Sequence, residues 1–132
     1  MNGKSNTLQL WIKETMDDSI LSLHSAVPSS EAAKLLEDSK TSAIIVLENQ
    51  IPVGIVTNKD LMVKIVAHSY PPDTPIRRIM STPLISITTN TDVKEALELM
   101  TSRKIRKLPV IDNDEVVGII VASEIVCKIP DS

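Results

Sequence analysis

Residues 43–60 read AIIVLENQIPVGIVTNKD, and residues 107–124 read KLPVIDNDEVVGIIVASE. The two stretches match at a constant offset of 64 residues, and each has a glycine inside its second apolar run. Extending the alignment outward pairs 12–65 with 76–129 without a gap. About a quarter of these positions are identical, where average composition would give roughly three or four identities. The chain therefore contains an internal repeat.

Each copy of the repeat predicts the element order β-α-β-β-α. Apolar runs of strand length flank short polar turns, which is typical of hairpins, and amphipathic stretches with helical spacing precede and follow them. The predicted strands are 20–23, 43–47, 53–56, 84–87, 108–111 and 116–121, and the predicted helices are 31–38, 60–67, 93–102 and 123–129. Asp92 and Glu95 predict a capping box at the third of these helices.

These elements predict an α/β (α+β) fold of two repeats packed with pseudo-two-fold symmetry. A copy of about 54 residues buries only about 60% of its unfolded surface, so each copy alone is marginal. We divide the 132 residues into an N-terminal segment (1–11), repeat 1 (12–69), a linker (70–75) and repeat 2 (76–129). Together they form one module.

The composition restricts the function. The chain is 42% hydrophobic but only 2% aromatic, and its formal net charge is −3, so neither base stacking nor general attraction to phosphate polymers is favoured. Its one cysteine, Cys127, cannot form an internal disulfide. No apolar run suits a signal peptide or a membrane span, so we expect a cytoplasmic protein.

Two segments contain candidate ligand-binding side chains. Gly54-Ile-Val-Thr-Asn-Lys-Asp60 runs from a strand into a helix, where Thr57 and Asp60 either cap the helix or bind a ligand's hydroxyl and phosphate oxygens. We expect Gly54 to let a flat group approach the strand. Arg103-Lys-Ile-Arg-Lys107 holds four cations, whereas the first copy keeps one of them at the same place. This asymmetry favours a specific anion over simple compensation of a helix dipole.

The sequence resembles a tandem pair of cystathionine-β-synthase (CBS) domains, the Bateman module. The resemblance rests on the repeat order, on Arg77-Arg-Ile-Met80, on the run 104–112 and on the glycine-to-aspartate signature in 54–60. It implies a non-enzymatic regulatory module that binds AMP, ADP or ATP in the cleft between the repeats. We find no catalytic nucleophile, base or metal cluster, in agreement with that expectation.

When the binding residues of the family are carried over to this sequence, the resemblance implies one nucleotide site per chain. Met80 to Pro83 are expected near this site, and no metal ion is expected in it. The second, symmetry-related site is expected to be degenerate, because Val121 and Glu124 replace Thr57 and Asp60, and Ser42 and Ala43 stand where the cations stand. The expected ligand-binding residues are Ile55, Thr57, Lys59, Asp60, Ile85, Arg106 and Lys107.

Alternatives to a nucleotide remain open: S-adenosylmethionine, a cyclic dinucleotide, or a nucleic acid bound by the 103–107 cluster. We expect a homodimer formed through the last helix of each repeat, and a separate effector protein. The expected dimer contacts are Leu61, Met62, Ile65, Ile125, Val126 and Ile129.

Overall fold

The computed structural model describes residues 12–39, 41 and 43–128, with the backbone only for 126–128. This part of the chain divides into two compact units. The first unit comprises residues 19–84, and the second comprises 12–18 together with 85–128.

The helices and strands follow the predicted order, except that the predicted strand 84–87 is not formed and that short helical segments at 12–15 and 76–78 were not predicted. In chain order they are α1 (Ile12–Thr15), β1 (Leu21–His24), α2 (Ser29–Asp38), β2 (Ala43–Glu48), β3 (Ile51–Thr57), α3 (Asn58–Leu61) continued by a π-helical stretch (Met62–Ala67), a 3-10 turn (Ile76–Arg78), α4 (Val93–Arg103), β4 (Lys107–Asp112), β5 (Glu115–Val121) and α5 (Ala122–Lys128). The mixed α/β fold expected from the sequence is confirmed.

The first unit is built on a three-stranded sheet in the order β1-β2-β3. β1 runs parallel to β2, and β2 runs antiparallel to β3. Asn49 and Gln50 join β2 to β3 with φ of 52° and 69°, which is the type I′ turn that favours a two-residue hairpin. The buried core residues of this unit are Ala32, Leu36, Ile44, Val46, Val56, Ile76 and Ile79.

The second unit is built on a two-stranded sheet. β4 and β5 form an antiparallel hairpin whose turn residues, Asn113 and Asp114, have φ of 52° and 65°. α4 begins at the predicted cap, where Asp92 Oδ1 accepts a hydrogen bond from the Lys94 backbone N at 2.8 Å. The buried core residues are Ile12, Ile87, Val93, Ala96, Met100, Leu108, Val110, Ile120 and Ile125.

Each unit takes one segment from the other sequence repeat. Residues 76–81 begin repeat 2, yet they close the first unit, where the backbone of Ser81 pairs with that of Ile55. Asp17 of repeat 1 pairs in the same way with Ile119 in the second unit. The compact units are therefore shifted along the chain relative to the repeats.

The linker belongs to the first unit and completes the start of α2. The N-cap residue Pro28 offers no side-chain hydrogen bond. Instead, the carbonyl of Thr74 accepts from the backbone N of Ser29 at 2.8 Å, and the carbonyl of Pro72 accepts from that of Ser30 at 2.9 Å. The linker thus satisfies amides that a helix start leaves unpaired.

The two sheets differ at one edge. β1 is a four-residue strand, whereas in the predicted strand 84–87 only Ile87 pairs, with Val110. The cause is Pro109, whose carbonyl accepts from the Ile87 backbone N at 3.0 Å but which has no N–H to donate back to Ile85. The equivalent residue in the first unit is Ile45, which carries an N–H.

One of the dimer contacts expected from the sequence, Ile125, is wrong, because its side chain is buried within its own unit. Leu61 and Ile65 pack against the core of the first unit, and Ile125 is 0% exposed in the core of the second. Leu61 and Ile65 are only half-buried and Met62 is exposed, so their part in a dimer stays a prediction, whereas Ile125 belongs to the core of its own unit. The side chain of Val126 and all of Ile129 lie outside the described residues.

Candidate functional site

The carboxylate of Asp60 is the most highly hydrogen-bonded group at the end of β3. Its Oδ2 accepts hydrogen bonds from the Thr57 backbone N at 2.8 Å and from Thr57 Oγ1 at 3.1 Å. Its Oδ1 accepts a hydrogen bond from Ser81 Oγ at 2.8 Å. Three donors of the first unit therefore fix the orientation of this carboxylate.

Thr57 and Asp60 also begin the helix that follows. Thr57 is the N-cap residue of α3 with an extended backbone, and together with Asp60 it forms a capping box. The capping role foreseen as the alternative reading is thus confirmed. The capping box also fixes the position of the Asp60 carboxylate at the start of α3. The helix dipole stabilises negative charge there.

The role expected for Gly54 is wrong. A Cβ at Gly54 would lie 2.5 Å from Met80 Sδ and 3.1 Å from the Ser81 carbonyl oxygen. The space over this glycine is therefore filled by a side chain of the unit itself. The absence of a Cβ lets Met80 pack on β3 and brings Ser81 beside Asp60.

The remaining candidates from repeat 1 lie on the same segment. Ile55 is half-buried in β3, and its backbone N and O pair with Ser81 at 3.3 and 2.8 Å. Lys59 is exposed in α3, one residue before Asp60. Ile55, Thr57, Lys59 and Asp60 are thus brought together within one unit.

The candidates from repeat 2 lie in the second unit. α4 ends at Lys104, which adopts the left-handed conformation with φ of 57°, and the Ile105 backbone N donates to the Met100 carbonyl at 3.0 Å. This turn leads into Arg106, which is exposed, and Lys107, which is half-buried at the start of β4.

Arg106 borders an open depression of about 350 Å³ that is confined to the second unit. Its carbonyl accepts from the Ala122 backbone N at 2.9 Å, which ties the basic segment to the start of α5. Ile85 is half-buried and packs against the core of this unit. The lining residues are Leu97, Met100, Thr101, Lys104, Ile105, Arg106 and Ala122.

The position equivalent to Asp60 carries different chemistry in the second unit. Val121 precedes α5 without a hydroxyl, and Glu124 is exposed in the first turn. Asp17 occupies the place of Ser81, with its backbone paired to Ile119 at 2.8 and 2.9 Å. Ser42 lies outside the described residues, and Ala43 is buried.

Comparison with known families identifies the repeat. The family model for the CBS domain matches the chain twice, at residues 12–67 and 76–131. The chain belongs to the CBS domain family. The resemblance inferred from the sequence is confirmed, and the chain carries a CBS pair.

Relatives of this CBS pair occur in archaea and bacteria. An uncharacterized protein of Methanopyrus kandleri is 40% identical over 96 residues, which cover 71% of this chain and 49% of that protein. The CBS domain-containing protein YhcV of Bacillus subtilis is 30% identical over 114 residues, covering 86% and 81% of the two chains. The chain thus spans about half the length of the first relative and most of the second.

Solved structures share the fold of this CBS pair. A hexameric CBS-CP12 protein from bloom-forming cyanobacteria superposes with a TM-score of 0.83 at 28% identity, covering 91% of this chain and 72% of that one. An uncharacterized conserved protein from Pyrococcus horikoshii gives 0.85 at 24% identity, covering 95% and 96%. The second likeness concerns the fold alone.

CBS pairs are generally regulatory ligand-binding modules, and the CBS domain is a non-catalytic one. Among the described residues of this CBS pair, no group of three or more His, Cys, Asp or Glu side chains could hold a metal ion. A search of the same residues finds no helix that is long and apolar enough to cross a membrane.

Sequence reasoning did not assign a role to Ser81. It placed Met80 to Pro83 near the site, but the contact of Ser81 with Asp60 depends on residues far apart in sequence. The repeat offered one signal. Ser81 aligns with Asp17, and an ionised aspartate cannot donate a hydrogen bond to a carboxylate, so only the Ser81 position could hold a donor for Asp60.

Proposed function

We propose that this CBS pair binds an adenosine nucleotide, AMP, ADP or ATP, and thereby regulates a separate effector protein. The observation that supports this most strongly is the Asp60 carboxylate, which the capping box and Ser81 hold in a fixed orientation. A fixed carboxylate suits the hydroxyls of a ribose, because ionised acceptors form strong hydrogen bonds.

The basic segment supports a phosphorylated ligand. Arg106 and Lys107 follow a helix that ends with Arg103 and Lys104, so four cations surround one short turn. A phosphate group is attracted to this turn, whereas the sulfonium of S-adenosylmethionine is repelled. We assign Arg106 and Lys107 to the phosphates.

The apolar candidates suit the base. Ile55 and Ile85 are half-buried aliphatic residues, each at the edge of a core cluster or sheet. In a chain with 2% aromatic residues, an adenine ring would pack against aliphatic side chains of this kind. We assign Ile55 and Ile85 to adenine, Thr57 and Asp60 to the ribose and its phosphate side, and Lys59 to the phosphates.

Titration calorimetry with AMP, ADP, ATP, S-adenosylmethionine and cyclic dinucleotides tests the proposal. We expect an adenosine nucleotide to bind with one site per chain. Asp60→Asn removes the charge while keeping a carbonyl acceptor for the Thr57 amide, so the fold is retained. Each charge-assisted hydrogen bond contributes about 1.5–3 kcal/mol, so losing two should weaken binding about 100-fold or more.

Glu124→Gln is the matched control, because it makes the same change at the equivalent position of the second unit. It should leave the affinity and the stoichiometry unchanged. Failure of every adenosine nucleotide to bind would refute the proposal, and so would wild-type affinity in Asp60→Asn. Binding of an oligonucleotide that falls steeply with salt would favour the nucleic-acid alternative instead.

We also propose that the chain self-associates. Within the first unit, Met62 and Val66 are 61% and 73% exposed on the π-helical stretch, beside an apolar depression lined by Leu61, Ile65 and Pro72. Exposed apolar surface of this kind is typical of protein contacts. The cyanobacterial relative described as hexameric agrees with association, which sedimentation equilibrium would measure.

A further inference from the structure

The hydrogen bond between Ser81 and Asp60 limits what else the carboxylate can accept. An ionised carboxylate offers about four acceptor sites, two on each oxygen. Thr57 fills both sites of Oδ2, through its backbone N and its Oγ1. Ser81 Oγ fills one site of Oδ1 at 2.8 Å, so a single acceptor site is left on this group.

A ribose brings two neighbouring hydroxyls to this carboxylate. One hydroxyl can use the open site on Oδ1, but the second must displace a donor that is already present. The Thr57 amide cannot leave without undoing the start of α3, and the Thr57 hydroxyl lies within the same capping turn. Ser81 is the remaining donor.

The environment of Ser81 suits such a release. Its backbone is fixed on β3 by two hydrogen bonds to Ile55, and the preceding Met80 is seated over Gly54. Its side chain is exposed, so the hydroxyl can turn about a single bond and donate to water instead. Release therefore needs no movement of the backbone.

We propose that Ser81 is a positioning residue that holds Asp60 Oδ1 in the free protein and gives up its place to a ribose hydroxyl when a nucleotide binds. This inference rests on the proposed nucleotide function. Binding of the second ribose hydroxyl then includes the free-energy cost of displacing Ser81. A ligand with one hydroxyl uses the acceptor site that is already open and has no such cost.

Calorimetry with AMP and 2′-deoxy-AMP tests the inference on wild type, Ser81→Ala and Ser81→Thr. Ser81→Ala opens a second site on Oδ1, so AMP should bind about two- to tenfold more tightly, the range expected for removing one competing hydrogen bond. Affinity for 2′-deoxy-AMP should stay within about twofold of wild type. Ser81→Thr keeps a hydroxyl and should behave like wild type with both ligands.

The outcomes separate the two proposals. If wild type binds AMP but Ser81→Ala leaves its affinity unchanged, or weakens both ligands equally, Ser81 only supports the structure and this inference is wrong while the nucleotide function stands. If wild type binds no adenosine nucleotide, the function itself fails and the inference fails with it.

Discussion

The ends of β3 and β5 occupy equivalent positions in the two units and differ in what they present. β3 ends at Thr57 and leads to Asp60, whose carboxylate accepts three hydrogen bonds. β5 ends at Val121 and leads to the exposed Glu124. The backbone arrangement is thus kept in both units, while the polar chemistry is present in one.

The shared part of the arrangement is a glycine covered by a methionine. Met80 lies over Gly54 in the first unit, and Met16 lies over Gly118 in the second, so that an added Cβ would meet the sulfur at 2.5 and 2.6 Å. The closing segment therefore docks in the same way in both units. The glycine and methionine that dock this segment are thus common to both units, whereas the polar residues at the strand ends differ.

The largest effect on stability is expected from filling these two glycine positions. Gly54→Ala and Gly118→Ala each place a methyl group against a half-buried methionine and a backbone carbonyl, so each should lower the free energy of unfolding by about 1–3 kcal/mol. Urea unfolding of the two variants measures this loss of stability. Equal losses of stability would show that the methionine packs on the glycine equally tightly in the two units.

The Met80→Ala background provides the control for Gly54. With the methionine side chain removed, the added Cβ has room, so Gly54→Ala should cost little beyond Met80→Ala itself. Additive costs in the double variant would show that Met80 is not the obstacle.

A smaller effect is expected from exchanging the residues that precede α3 and α5. Thr57→Val removes a good N-cap and should destabilise the protein by about 0.5–2 kcal/mol. Val121→Thr supplies a hydroxyl at the equivalent position and should stabilise by up to about 1 kcal/mol. Thermal melting of both variants tests this, and a loss of stability in Val121→Thr would contradict the equivalence of the two helix starts.

The smallest effect is expected at Pro109. Pro109→Val supplies the missing N–H, which can donate to the carbonyl of Ile85 and extend the pairing of the 84–87 segment. A hydrogen bond contributes about 0.5–1.5 kcal/mol, but losing proline frees the unfolded chain by about 0.4–1 kcal/mol, so the stability should change little. Amide hydrogen exchange is the better measurement: the new amide should be protected, and rapid exchange would refute the account of this edge.

Hairpins and helices were predictable because their signals are local. Asn49-Gln50 and Asn113-Asp114 allow positive φ, and the apolar spacing of α2 and α4 follows the helical period. The candidate site was predictable only in part. Thr57 and Asp60 lie on one turn, but the Ser81 contact and the methionine over Gly54 join segments more than twenty residues apart.

The sequence by itself determined the repeat, the order of elements and the family, because these depend on residue patterns within short windows or at a constant offset. The tertiary structure decided which segment closes each unit, that Ile125 is buried in the core of its own unit, and that Gly54 faces Met80. These features depend on contacts between segments that are far apart in the sequence. Such contacts produce no periodic pattern of residues from which they could be predicted.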